Sequence, residues 1–220
     1  MVTDEERERQ CLARKSRSEQ ILRDAGILQI RALPGIETAD QVEPRATIEI
    51  ARRAICLLLV AARGSGLDVR TVRKLTAYHE MGGFFTKDEQ AFLDSKRPKE
   101  RAKAKFSWRT EASWVLLWAL GFVDRLGLPS GQIEPWSAIE IVEANFVDGL
   151  VNNAKPRSID EILDEADLIY RCHWAVRHAE RSDVDIEGKL EPGVTFERHH
   201  ALNWLIRYEN QDWDDISTDT

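Results

Sequence analysis

The chain has 220 residues, 43% of them apolar and 31% charged, with a formal net charge of -7. That length suits one large domain or two small ones, and it can bury a sizeable core without disulfides or metals. The three cysteines (Cys11, Cys56 and Cys172) are odd in number and far apart, with no Cys-x-x-Cys, which argues against a disulfide framework or a zinc knuckle.

The charge is unevenly divided, with a net of +6 over residues 1–110 and -13 over residues 111–220. Nucleic-acid binders carry a strong basic excess or a basic stripe. Here the bases of the first half are mixed with acids, so nucleic acid is not expected as a partner. Residues 96–105, KRPKERAKAK, are the local exception. They read as a solvated loop and helix start, with an anion-binding patch as the minority alternative. The N-terminus is charged from Asp4 onward and lacks a secretory pattern. The longest apolar run, residues 54–62, is about half of what a membrane helix needs. A cytoplasmic protein without a membrane segment is expected.

Residues 1–15 read as a flexible segment and residues 16–220 as a single domain. Ser16 or Ser18 can cap a helix running through Ile21 and Leu22 to Gly26. Pro44 sits where a first-turn proline would, ahead of the helical spacing of Ile48, Ala51, Ile55, Leu58 and Leu59. Asp68 can cap a short helix, and Thr86 with Glu89 has capping-box spacing.

Residues 107–126 are predicted as the most hydrophobic helix, apolar on several faces and hence the enclosed centre of a bundle. A shorter helix is predicted over residues 138–146. Ser158 and Glu161 form a second capping box, opening a long helix to about Arg181. Residues 183–193 read as a loop, and Thr195 or a neighbour starts a last helix to about Asn210. Period-two strand signals are nearly absent. The expectation is a single all-α globular bundle of about seven or eight helices.

Two helices carry unusual polar stripes. Asp160, Asp164, Asp167, Arg171, Trp174 and His178 share one face of the long helix, with Asp167 and Arg171 an i, i+4 pair of opposite charge. An apolar stripe that ends at His173 lies beside them. On the last helix Glu197, His200, Trp204 and Arg207 align, while Arg198 and Asn203 lie on neighbouring rows. Arg109 and Glu111 open the apolar central helix. A buried arginine there needs a carboxylate, and Asp167, Glu197, Asp214 and Asp215 are the candidates. The tail is therefore expected to fold back, packing Trp213 and offering Asp214 and Asp215 to Arg109 or Arg171.

These stripes admit two readings, a structural ion-pair network or a ligand site. The pair Glu197-x-x-His200 has di-iron spacing, but no second Glu-x-x-His accompanies it. A single zinc on His200, Glu197 and His178 is geometrically imaginable, yet no metal or cofactor is expected. No nucleophile elbow or Gly-rich phosphate loop occurs.

The same residues carry a resemblance. Arg17-Ser18, Ile21-Leu22, Gly26-Ile27 and Leu33-Pro34 form one signature. Trp108-Arg109-x-Glu111 with Leu116-Leu117-Trp118 forms a second. Glu161 to Asp164, Asp167-Leu168, Tyr170-Arg171 and Trp174-Ala175 form a third. Glu197-Arg198-His199, Asn203-Trp204, Trp213-Asp214-Asp215 and Thr218-Asp219-Thr220 form the last. Together they resemble the bacterial family of domain of unknown function 4272. The resemblance implies a bacterial cytoplasmic protein and supplies no activity. The functional expectation is a protein-binding accessory or regulatory domain without catalysis. The alternative is a small hydrolase-like enzyme whose Arg/His/Asp/Glu site holds an anionic ligand.

Overall fold

A computed structural model describes residues 2–185 and 190–220. It is all-helical, with no strand among the described residues and 64% helix. The α-helices, in chain order, are α1 Asp4–Asp24, α2 Thr47–Gly64, α3 Val69–Tyr78, α4 Lys87–Asp94 and α5 Glu100–Ser107. There follow α6 Arg109–Ala119, α7 Pro135–Asn152, α8 Ile159–Ser182 and α9 Pro192–Leu205. Short 3-10 turns at Tyr208–Asn210 and Trp213–Asp215 lead the tail back over the bundle.

Helices α2 and α6 form the centre. Both are buried along most of their length, α2 from Ile50 to Ala61 except Arg52 and α6 throughout except Trp114. They pack on each other; α9 lies against α6 and α8, α1 covers α8, and α7 covers α2. Helix α2 thus shares the core position expected of residues 107–126 alone. An element apolar on several faces must be enclosed, and both meet that condition.

The expected central helix is shorter than its apolar run. It turns at Trp108, between α5 and α6, and stops at Ala119. Gly121 adopts a φ of +86°, which favours glycine, and its N–H and that of Phe122 bond the carbonyls of Trp118 and Leu117. The last orphan carbonyls then accept from the loop before α8, Lys155 N–H to Leu120 and Arg157 N–H to Ala119. A Cβ on Gly121 would stand 2.3 Å from the Lys155 carbonyl oxygen. Gly121→Ala is therefore expected to destabilise by about 2–3 kcal/mol, positive φ and backbone collision combined. A shift of the urea midpoint measures it, and an unshifted midpoint contradicts the close approach.

Other boundaries also move. Helix α1 starts at Asp4, capped by Thr3, rather than at Ser16 or Ser18. Asp4, Glu5 and Glu6 suit the positive end of the helix dipole. Arg14, inside the stretch read as flexible, is buried against Asp160, Asp164 and the Glu37 carbonyl. Pro44 lies outside α2, whose cap is Ala46. Pro192, placed in a loop by the sequence, is a first-turn proline of α9, and the Glu191 side chain caps Gly193. That helix ends at Leu205, since Arg207 takes a left-handed conformation. Helix α7 is longer than expected and kinks at Phe146. The caps at Asp68, Thr86 and Ser158 fall where the sequence puts them.

Candidate functional site

Helix α9 is the hub of the polar network. Glu197, Arg198, His199, His200 and Asn203 are all buried on it, because α6, α8 and the tail surround it. Arg109 Nη1 donates to Glu197 Oε2 at 3.0 Å, linking α6 to α9. Next to it Arg198 lies 3.7 Å from Glu111 and donates to the carbonyls of Leu126 and Gly127. Glu111 also accepts the Ile133 N–H at 2.7 Å. Burial pushes the Glu197 carboxyl up in spite of the Arg109 charge, and it pushes Glu111 up and Arg198 down.

The Asp167–Arg171 pair closes as a fork on α8, both bonds 2.8 Å, and Arg171 reaches the Pro34 carbonyl at 2.9 Å. It thereby ties the loop after α1 to α8. His200 Nε2 donates to the Trp213 carbonyl at 2.9 Å, and Asn203 donates to Ser217. Trp213 is buried against the rings of His200 and Trp204. The tail does fold back.

Two expectations need correction. Asp214 and Asp215 remain exposed; Asp214 accepts the Asp88 N–H instead of meeting Arg109 or Arg171, whose charges Glu197 and Asp167 already answer. Trp174 and His178 stack on each other half-exposed, one turn apart, away from the α9 hub. Arg109, Glu111, Glu197, Arg198 and His200 thus gather where α6, α9 and the tail meet, whereas Asp167 and Arg171 form their own pair on α8 and Trp174 and His178 lie apart. His178, Glu197 and His200 make no shared metal set, and no group of three such ligands occurs among the described residues.

Sequence reasoning missed two parts. Arg53 and Glu89 form a buried ion pair beneath Trp213. The signal was available as a charge directly preceding the apolar run at residues 54–62. Glu89 serves twice, since its carboxylate also closes the α4 capping box on the Thr86 N–H. Second, His173 on α8 and His199 on α9 meet Nδ1 to Nδ1 at 2.8 Å. A contact of that kind needs one ring to donate and the other to accept, so at least one is neutral at that nitrogen. Burial drives His173 down to about 4 and His199 to about 3.

A cleft of about 630 Å³ opens beside this hub. Pro34, Gln41, Tyr170, His199, Tyr208 and Asp219 are among the residues that line it. Three of the four signature segments named above contribute to it, through Pro34, Tyr170, His199 and Asn203, and Asp219. Among the described residues no guanidinium lines it.

Fold and site define an all-α domain in which buried ion pairs lock α9 to α6 beside an open cleft. The chain belongs to the family described as domain of unknown function (DUF4272), whose model matches residues 14–216. Comparison with curated proteins and with solved structures gives no match. Among the described residues no helix is long and apolar enough to cross a membrane.

Proposed function

We propose that this is a non-catalytic protein-binding domain, an accessory or regulatory factor of the bacterial cytoplasm, and that the cleft under the tail is its recognition site. One observation carries the reading. The charges that a catalytic centre would use are consumed in buried pairs: Arg109 with Glu197, Arg198 with Glu111, and Arg171 with Asp167. A hydrolase-like site holding an anion would need one of those guanidiniums free, and the cleft has none.

The cleft instead offers hydrogen-bonding and aromatic side chains (Tyr170, Tyr208, Gln41 and Asn203) with carboxylates at Glu37 and Asp219. That lining suits a partner's extended segment bearing amide or basic side chains. A photo-crosslinking residue at Tyr208 should yield one discrete protein adduct in cells of the natural source. The same group at exposed Lys87 on α4 should yield none, and Tyr170→Arg, which fills the cleft, should abolish the Tyr208 adduct. Absence of any adduct at Tyr208, or equal labelling at both positions, overturns the reading.

A further inference from the structure

A second cleft, of about 540 Å³, lies on the opposite set of elements, where α2, the end of α3 and the α7 kink meet. It shares no lining residue with the cleft under the tail. Its wall is a cluster of rings. Tyr78 and Phe146 meet edge to face with centroids 5.2 Å apart, and His79 closes the triangle at 5.3 Å from Phe146. Met81 and Ile48 add apolar surface.

Three features mark this cleft as built for a ligand. The first is backbone strain. Phe146 sits inside α7 at φ 52°, ψ -173°, a region that glycine alone occupies easily, and Glu80 at φ 59° borders the same cleft. A bulky residue held there persists only because its surroundings over-determine it, and such strain clusters at binding sites. Here it keeps the Phe146 ring in the wall. The second is an uncommitted cation. Arg52 is half-buried with its guanidinium 4.2 Å above the Phe84 ring. Arg45, just before α2, and Arg53 within it hold Glu49 and Glu89, but Arg52 has no ion pair among the described residues. Stacking occupies the face of the guanidinium and leaves its edge donors for a planar acceptor. The third is His79, which is buried, bonds Glu143 through Nε2, and has no partner for Nδ1 among the described residues.

We infer that this cleft binds a small aromatic monocarboxylate: the carboxylate takes the Arg52 edge and the ring lies against Tyr78 and Phe146. Exposed Glu80 and Asp148 at the rim are screened by water, whereas Arg52 is half-buried and screened less. Those rim acids disfavour a dianion such as a phosphate monoester and leave a single carboxylate as the better fit.

Calorimetric titration of the full chain with benzoate and indole-3-acetate, against benzylamine and benzyl alcohol, tests this. One or both carboxylates should bind and raise the melting temperature, with benzylamine and benzyl alcohol inert. Arg52→Gln should weaken the carboxylate about tenfold or more, the loss of a charged hydrogen-bond pair, and Arg52→Lys should retain part of it. Phe146→Ala should also weaken binding while helix content by circular dichroism is kept. Binding of benzylamine as tight as that of the carboxylates, carboxylate binding indifferent to Arg52→Gln, or no binding of either carboxylate overturns the inference. None of these results bears on the cleft under the tail.

Discussion

Arg109→Met is expected to destabilise the fold by about 3–5 kcal/mol, the effect of leaving a buried charge alone. Both members of the pair are almost fully enclosed, Arg109 at 5% and Glu197 at 3% exposure. Removing the guanidinium strands Glu197, whose carboxyl burial already drives upward. The stranded group then takes up a proton rather than stay charged in the core. The pair itself is a weaker source of stability than that number implies, because desolvation offsets most of the attraction. The double variant Arg109→Met, Glu197→Leu should therefore recover much of the loss, ending within about 2 kcal/mol of the native chain. Urea unfolding of all four chains closes the cycle. A single variant that costs under about 1 kcal/mol would mean that Glu197 is not confined as the geometry has it.

The same pair shows how far the sequence reaches. That Arg109 needs a carboxylate was legible, because a guanidinium at the head of an apolar helix has few other outlets. Which carboxylate was not. Glu197, Asp167, Asp214 and Asp215 are equivalent in one dimension, and the crossing of α6 on α9 selects Glu197. Local signals did well where the physics is local. The Thr86 and Ser158 capping boxes depend on four consecutive residues, and they formed. Ends set by tertiary contact were misplaced. Helix α6 stops at Ala119, where Gly121 turns the chain and the loop at Lys155 and Arg157 takes the last carbonyls; the glycine is a local signal, the loop that meets it is not. The start of α1 was missed although its signal is local, Thr3 capping the Glu6 N–H; what could not be read is the burial of Arg14, whose partners lie 146 and 150 positions away. The polar suspects of α9 are indeed buried, but the cleft beside them draws on Gln41 and Tyr208, which carry no stripe or motif.

Acidification from pH 7 to 5 is expected to unfold the protein more readily, and His200 supplies a separable share. Burial, with the positive charges of Arg109, Lys105 and Arg53, holds its imidazole down to about 3. The unfolded side chain has the ordinary value near 6.5, so above that pH neither state carries the proton and the group is silent. Below it the unfolded chain binds a proton that the folded chain refuses. Stability then falls by about 1.4 kcal/mol per pH unit, which makes roughly 2 kcal/mol by pH 5. His173 and His199 act in the same direction over the window from 6.5 down to about 4 and about 3. Glu111 and Glu197 oppose them, because burial raises both and acid relieves their charge. His200→Gln isolates the histidine: the amide can still donate to the Trp213 carbonyl, as Nε2 does, but does not titrate. Between pH 7 and 5 the native chain should lose about 2 kcal/mol more unfolding free energy than this variant. Equal losses in the two chains would show that His200 accepts a proton while folded, and the enclosed contact with Trp213 would have to be abandoned.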